Sequence, residues 1–231
     1  MSRIVLESAG VSVPAPAGGD KIILRPTTLT LTESRIAVIG ANGSGKSTLL
    51  RLLNGLVLPS TGTVRVNGLD SRADGPALRR TVGFVFTDPL SQLVMPTPRE
   101  DVELSLRRRR LGNAERRAAA LTLLARYGLA GLAEDSVYDL SGGERQLTAL
   151  ATVLAVEPDV LVLDEPSTLL DLRNTRLLQH TLAALPQQIV MSTHDLALAQ
   201  AADRVLVVND GAITFDGLPA DAVAHYLALV G

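Results

Sequence analysis

Short apolar runs and longer segments with helical spacing alternate along this chain. The short runs are apolar throughout or alternate with polar residues, which predicts strands. They lie at residues 4–6, 22–24, 29–31, 63–66, 160–163, 189–192 and 205–208. Between the fourth and the fifth run, residues 89–156 carry their apolar positions at helical spacing. The pattern therefore predicts a protein of the α/β class.

The last three runs are continuously apolar apart from Ser192 at the end of one of them, which is typical of strands in a parallel sheet that helices cover on both faces. In such sheets ligands bind outside the carboxyl ends of the strands. The residues that directly follow the apolar runs are therefore the best candidates for functional chemistry.

One such segment follows the apolar residues 36–39 and fits the pattern G-x-x-x-x-G-K-[ST], a loop that cradles nucleotide phosphates. Its glycines let backbone N–H groups turn toward the phosphates, and the helical pattern from Leu49 onward adds positive potential. Lys46 is predicted to reach the β- and γ-phosphates, and the Ser47 hydroxyl to bind Mg²⁺. The predicted ATP-binding residues are Gly40, Ala41, Asn42, Gly43, Ser44, Gly45, Lys46, Ser47 and Thr48.

Polar residues also follow the apolar runs at 160–163 and 189–192. Asp164 stands where a P-loop protein needs a carboxylate for hydrated Mg²⁺, and the adjacent Glu165 could orient and polarise an attacking water. His194 follows the run 189–192 and should lie within reach of a γ-phosphate. Two acids after a strand can also be a helix-capping turn, and a lone histidine there is often structural. The phosphate loop favours the catalytic interpretation of all three.

The composition of the 231 residues is that of an ordinary globular protein, with 46% hydrophobic and 20% charged residues. A net charge of −2 gives no reason to expect nucleic acid as a partner. The absence of cysteine agrees with a cytosolic protein. No run reaches the roughly 18–20 apolar residues that cross a bilayer, and residues 1–10 lack the apolar stretch of a signal peptide. Any membrane role is therefore expected to come through partner proteins.

Arginines form one basic cluster, at residues 107–110 together with Arg116 and Arg117. The first interpretation is the solvated face of a helix. Contact with acidic loops of a membrane partner or with lipid headgroups is the second, and nucleic acid is the third.

The sequence Leu-Ser-Gly-Gly-Glu-Arg-Gln at residues 140–146 resembles the signature motif of ABC transporter ATPase subunits. Residues 164–166 resemble the Walker B strand end of that family, residues 167–171 fall where its D-loop lies, and His194 matches its switch histidine. The motifs stand in family order along nearly the whole chain. The resemblance implies a P-loop NTPase (RecA-like) core with a parallel sheet, an N-terminal antiparallel β subdomain and an inserted α-helical subdomain.

The resemblance also implies boundaries and roles. A single ABC ATPase domain would span residues 1–231, with a nucleotide-binding core at 1–88 and 157–231 and a helical signature subdomain at 89–156. The chain would close head-to-tail with a second copy or a close homologue around ATP and Mg²⁺. The implied site residues are Glu165, His194 and Lys46 for catalysis, Ser47 and Asp164 for the metal, and Ser141, Gly142, Gly143 and Glu144 for the signature acting in trans.

Residues 86–93 and 95–102 resemble the region after the Q-loop in energy-coupling factor (ECF) importers, which take up vitamins and transition-metal ions in prokaryotes. The implied partners are a transmembrane coupling protein and a substrate-capture membrane protein, with this chain on the cytoplasmic face of the cell membrane. Biotin-type and cobalt/nickel-type subunits are the most similar, and Thr87 favours the biotin type. A soluble ABC protein acting on ribosomes or nucleic acid is the rival, but it would ordinarily carry two cassettes.

Two positions depart from the family pattern. Thr87 stands where the Q-loop glutamine is usual, so direct contact with Mg²⁺ is not expected, and the spacing argues against Gln92 as a substitute. Residues 11–17 contain no aromatic side chain that could stack on adenine, and Val13 and Pro14 offer apolar contact only.

The segment after the Q-loop carries a further prediction. Thr97 and Pro98 have the form of a helix start, and Glu100 and Asp101 would place negative charge in its first turn. We expect both carboxylates to face the coupling protein and to be available to its basic residues.

Overall fold

The structure of this protein is a computed structural model that describes residues 2–16, 18–168 and 170–231. The described residues form two compact units. The first lies within Met1–Phe84, Asp159–Glu165 and Gln187–Gly231, and the second within Val85–Pro158 and Pro166–Pro186. The predicted division at residues 89 and 156 stays a prediction; the second unit as observed also contains the segment after Glu165.

Strands and helices alternate over much of the chain. The strands are β1 (Ile4–Pro14), β2 (Asp20–Leu31), β3 (Arg35–Ile39), β4 (Thr61–Val66), β5 (Leu69–Asp70), β6 (Val82–Val85), β7 (Val160–Asp164), β8 (Gln188–Ser192), β9 (Arg204–Asn209) and β10 (Ala212–Gly217). The helices are α1 (Lys46–Leu53), α2 (Gly75–Thr81), α3 (Pro98–Ser105), α4 (Asn113–Arg126), α5 (Gly142–Leu154), α6 (Leu172–Ala184), α7 (Leu196–Gln200) and α8 (Pro219–Val230).

A six-stranded sheet with the order β10-β9-β3-β8-β7-β6 is the centre of the first unit. Strand β3 runs parallel to both β8 and β9, and β7 runs parallel to β8. Every residue of β7 and β8 is buried, as expected for strands covered on both faces. The predicted parallel core is confirmed, with β10 added antiparallel at one edge.

A second, antiparallel sheet with the order β2-β1-β4-β5 forms the predicted N-terminal β subdomain. The prediction of separate strands at residues 22–24 and 29–31 is wrong, because both lie in the single strand β2. Backbone pairing with β1 continues between them through shifts in register, from Val11 opposite Leu24 to Ala9 opposite Thr27. Pairing with β1 at Leu24 and again at Thr27 therefore keeps β2 continuous across its polar middle.

Helices dominate the second unit, as the spacing predicts. Its main core brings Val102 and Leu106 together with residues of α4 and α5, among them Leu124 and Leu147. The arginines at 107–110 do not form a helix face, since a 3₁₀ turn at Leu106–Arg108 and the residues after it interrupt the helices. Arg109 instead pairs with Glu157 at 2.7 Å.

The start of α3 corrects one expectation. Thr97 caps the helix by accepting a hydrogen bond from Glu100 N at 3.3 Å, as predicted. Asp101, however, is only 4% exposed, and its carboxylate accepts hydrogen bonds from the backbone N–H groups of Val94 (3.2 Å) and Met95. Burial raises the pKa of Asp101 to about 6, although these two bonds oppose the shift. Asp101 therefore fixes the preceding loop and is not available to a partner.

Among the described residues, none of the helices combines the length and the apolar character needed to cross a bilayer.

The buried Asp101 carboxylate should make stability depend on pH. Its folded pKa of about 6 lies above the ordinary pKa of an aspartate, so its stabilising contribution is complete at low pH and is lost as pH rises through about 6. Asp101→Asn removes this titration. Urea unfolding measures the free energy of unfolding of Asp101→Asn and of wild type. The value for the variant minus that for wild type should increase by about 1–3 kcal/mol between pH 4 and pH 7, because one pKa unit corresponds to about 1.4 kcal/mol.

Glu100→Gln, in the same helical turn, is the control for loss of a more exposed carboxylate. Parallel pH profiles for wild type and Asp101→Asn would contradict the assignment.

Candidate active site

The phosphate-loop segment connects β3 to α1, where the predicted motif requires a strand and a helix. Three of its glycines have positive φ, with 152° at Gly40, 77° at Gly43 and 110° at Gly45. A Cβ atom at Gly40 would lie 2.1 Å from the carbonyl oxygen of Val208, so only glycine fits against β9. A Cβ at Gly43 would meet no heavy atom within 4 Å, which leaves this part of the loop open to a ligand.

Lys46 begins α1 and is only 6% exposed. Its Nζ donates hydrogen bonds to the carbonyl oxygens of Gly40 (2.8 Å) and Ala41 (3.1 Å) and lies 3.7 Å from Glu165 Oε1. Burial lowers the pKa of Lys46, and the nearby carboxylates of Glu165 and Asp164 oppose that shift. The loop thus holds a desolvated cation of the kind that binds phosphate groups.

The Ser44 hydroxyl adds a second polar group to this loop. Its oxygen is buried and finds no hydrogen-bond partner within the part of the chain that the structure describes. A buried hydroxyl without a partner is costly unless a ligand supplies the bond. Together with the open space at Gly43 and the buried cation of Lys46, this orphaned group fits a bound polyphosphate.

Ser47 and Asp164 meet, although 117 residues separate them in the sequence. Ser47 Oγ donates to Asp164 Oδ1 at 2.9 Å, and the carboxylate is 1% exposed. A hydroxyl and a carboxylate are oxygen ligands of the kind that Mg²⁺ prefers, so the two predicted metal residues fit that ion chemically. Arg51 Nη2 lies 3.7 Å from the other carboxylate oxygen, Oδ2, and balances its charge.

Glu165 directly follows β7 and has a φ of 50°, an uncommon value for a residue other than glycine. Backbone strain of this kind is concentrated at functional sites, where the surrounding structure maintains it. Its Oε1 lies 3.0 Å from His194 Nε2, so the predicted catalytic residues Glu165, His194 and Lys46 come together. Oε1 has no hydrogen-bond partner among the described residues, so the contact with His194 has the distance of a hydrogen bond but not its alignment.

Two further side chains belong to this site although the sequence motifs did not predict them. Ser192, the last residue of β8, donates from Oγ to Asp164 Oδ1 at 2.8 Å and accepts from Glu165 N at 2.9 Å. Arg51 reaches Asp164 from α1. The available signal for Ser192 was a hydroxyl inside an otherwise apolar buried strand. For Arg51 there was only its place one helical turn after Ser47.

The signature residues lie in the second unit, at the start of α5. Ser141 is the N-cap, with its Oγ accepting from Glu144 N at 3.3 Å while Ser141 N donates to Glu144 Oε2 at 2.7 Å. These two reciprocal bonds form a capping box at the start of α5. The Ser141 bonds lower the pKa of Glu144, with the side-chain bond contributing most.

Gly143 has a packing role besides any role toward nucleotide. A Cβ atom there would lie 2.4 Å from Asn174 Cγ, which belongs to the first turn of α6. Glycine at this position thus lets α6 approach the signature turn. The trans action of Ser141, Gly142, Gly143 and Glu144 stays a prediction.

Gln92 and Val13, which were considered with the two departures from the family pattern, have definite surroundings. Gln92 Oε1 accepts from Phe86 N at 3.2 Å and its Nε2 donates to Ala149 O at 3.5 Å, which agrees with a structural role rather than replacement of the Q-loop glutamine. Val13 is 42% exposed near the end of β1. Ala17 of the adenine region and Leu169 of the D-loop segment lie outside the described residues.

The comparison with known protein families decides the affiliation of this site. A family model described as ABC transporter matches residues 24–168, which contain the phosphate loop, the signature and the strand end at Asp164. This chain belongs to the ABC transporter family. It is an ATPase of that family, and the family's ATPase domain binds ATP and ADP.

Individual ABC proteins extend the similarity to nearly the full chain. The biotin transport ATP-binding protein BioM of Rhizobium etli is 45% identical over 224 residues, which cover 97% of each chain. The structure of CbiO1 from Clostridium perfringens, part of the ABC transporter complex CbiONQ, has a TM-score of 0.81 at 29% identity and covers 97% of this chain and 92% of that one. A dimeric post-hydrolysis state of the ATP-binding cassette MJ0796 with ADP and Pi has a TM-score of 0.83 at 27% identity, covering 94% and 98%.

Lys46→Ala should weaken ATP binding by about 10–100-fold, because a hydrogen bond to a charged group contributes roughly 1.5–3 kcal/mol. Isothermal titration calorimetry with ATP and Mg²⁺ measures the change. Lys21→Ala is the matched control, since Lys21 is exposed and is the other lysine of the sequence. Equal affinities of the two variants would contradict the role of Lys46.

Proposed function

We propose that this ABC ATPase energises a prokaryotic importer of the ECF type and that the imported solute is a vitamin, with biotin favoured. The observation that carries the ATPase part is the cluster of Lys46, Ser47, Asp164, Glu165 and His194 at one edge of the sheet, joined by contacts of 2.9–3.7 Å. The ECF part rests on the resemblance of residues 86–102 to the region after the Q-loop in those importers.

The residues of the cluster divide the work of hydrolysis among them. The backbone of residues 40–48 and the Lys46 ammonium would hold the β- and γ-phosphates. Ser47 and Asp164 would hold Mg²⁺, which, when bound, neutralises charge on the phosphates. Glu165 would accept a proton from the water that attacks the γ-phosphorus, and ADP would leave with the electrons of the broken P–O bond. His194, 3.0 Å from Glu165 Oε1, would lie within reach of the γ-phosphate as the switch histidine of the family.

Hydrolysis would be controlled by closure of two subunits, which are either identical or close homologues. In a head-to-tail dimer, Ser141, Gly142, Gly143 and Glu144 of one subunit would contact the γ-phosphate held by the other. The N-terminus of α5 offers backbone N–H groups and a positive helix end for this contact. The dimeric MJ0796 structure with ADP and Pi supports such an assembly by similarity.

Membrane partners complete the proposal. A transmembrane coupling protein and a substrate-capture membrane protein would hold this chain on the cytoplasmic face of the membrane. CbiO1, which is part of a transporter complex, supports this by similarity, and BioM, a biotin transport protein, supports the solute. The alternative is a cobalt/nickel-type importer, which the same motif region also resembles.

Glu165→Gln should lower ATP turnover of the assembled transporter by at least ~10²-fold, the usual contribution of a general base, while ATP binding is kept. It should also trap an ATP-dependent dimer in size-exclusion chromatography, because the closed state no longer turns over. Glu157→Gln is a matched control, since Glu157 also has a positive φ, of 52°, and pairs with Arg109. Turnover unchanged by Glu165→Gln would refute the proposed base.

Affinity purification of the tagged chain from membranes of the source organism tests the partners and the solute. A polytopic coupling protein and a second membrane protein should co-purify, and the complex should bind radiolabelled biotin in competition with unlabelled biotin. If the complex binds Co²⁺ or Ni²⁺ and does not bind biotin, that result would support the alternative importer. Recovery of ribosomes or nucleic acid without membrane proteins would overturn the transport proposal.

A further inference from the structure

We propose that Ser192 is a positioning residue of this ATPase, whose buried hydroxyl fixes both acidic residues of the site at once. This inference rests on the roles proposed above for Asp164 and Glu165. Nothing in the sequence motifs singles out Ser192, and its assignment comes from its hydrogen bonds and its place in the sheet.

The sheet places Ser192 between the two strands that carry the site. Strand β8 lies between β3, which leads into the phosphate loop, and β7, which ends at the two acids. Ser192 stands opposite Asp164 in the pairing with β7 and opposite Val38 in the pairing with β3. It is thus the last β8 residue in register with both strands, directly below the edge where the site lies.

Its hydroxyl uses both its donor and its acceptor on these acids. Oγ donates to Asp164 Oδ1 at 2.8 Å and accepts from Glu165 N at 2.9 Å. The same Oδ1 also accepts from Ser47 Oγ at 2.9 Å. Two hydroxyls therefore hold one carboxylate oxygen, which fixes the rotation of the Asp164 carboxylate.

The second bond determines where β7 ends. The Glu165 backbone turns to a φ of 50° directly after Asp164, and its N–H points to Ser192 Oγ. Without that acceptor the N–H would need another partner or carry the cost of a buried unpaired donor. The hydroxyl thus stabilises the turn that directs the Glu165 side chain toward Lys46 and His194.

Packing in the strand does not by itself require a hydroxyl at position 192. Ser192 is fully buried and follows Ile189, Val190 and Met191, where an apolar residue would suit the strand and a hydroxyl is costly unless bonded. The neighbouring Thr193 is equally buried, but its Oγ1 accepts from Asp195 N and serves the local turn. The bonds of Ser192 go instead to the two acids.

Ser192→Ala tests the proposal with a minimal change in volume. In the assembled transporter we expect kcat to fall at least ~10-fold with KM changed less than ~3-fold, because positioning of the acids is lost while the phosphate loop remains. The Mg²⁺ concentration for half-maximal ATP binding should rise at least ~5-fold, because Asp164 loses one of the two hydroxyls that orient it.

A matched control separates these effects from the loss of any buried serine. Ser71 is 3% exposed and its Oγ has no hydrogen-bond partner among the described residues, so Ser71→Ala should leave kcat and the Mg²⁺ dependence unchanged. Equal losses in both alanine variants, or no loss in Ser192→Ala, would overturn the proposal.

Amide hydrogen exchange of the full chain gives a readout that does not depend on turnover. The Glu165 amide should exchange at least ~10-fold faster in Ser192→Ala than in wild type, while the amide of Val190 in the middle of β8 keeps its rate. If Ser192→Ala does not fold, Ser192→Thr keeps the hydroxyl and should retain wild-type exchange at Glu165; fast exchange there would contradict the assigned bond.

The outcomes also separate this inference from the proposed function. If Glu165→Gln keeps full turnover, the proposed base is wrong whatever Ser192→Ala does. If Glu165→Gln loses turnover while Ser192→Ala keeps its kcat and its Mg²⁺ dependence, only the positioning role of Ser192 is wrong.

Discussion

The parallel register of β3, β8 and β7 determines which side chains can meet in this protein. Pairing brings Val38, Ser192 and Asp164 level with one another, so the carboxyl ends of all three strands reach the same edge of the sheet. The phosphate loop, the two acids and His194 follow at that edge within a few residues of the strand ends. A shift of one residue in either pairing would turn the side chains of the shifted strand to the opposite face and separate these groups.

Charge compensation is the second requirement of the site. Lys46 and Asp164 are almost completely buried, and a buried ion without a partner is strongly unfavourable. Each ion here has partners: backbone carbonyls and Glu165 for Lys46, and two hydroxyls with Arg51 for Asp164. ATP would enter a site whose own charges are already held by short-range contacts, which is the preorganisation that transition-state stabilisation needs.

The sequence was sufficient for features that are encoded locally. The phosphate loop and the acids at the end of β7 combine a strand, a turn and particular residue types within a few positions, so their locations could be predicted together with the α/β class. Features that depend on distant pairing could not be predicted. The continuity of β2 depends on its bonds to β1, and the carboxylate of Asp101 is buried because the loop from Val94 folds back over it. Ser192 acquires its meaning only from Asp164, its neighbour across the sheet.

Gly143 shows how packing limits the interpretation of mutagenesis at the signature. Its lack of a side chain gives Asn174 of α6 room, and α6 begins seven residues after Glu165 along the chain. The space that α6 needs at this glycine is a requirement separate from the proposed contact of the signature with a phosphate. Loss of activity after substitution at 143 therefore combines a steric change inside one subunit with any change at the dimer interface. Only a variant that first relieves the contact at Asn174 separates the two.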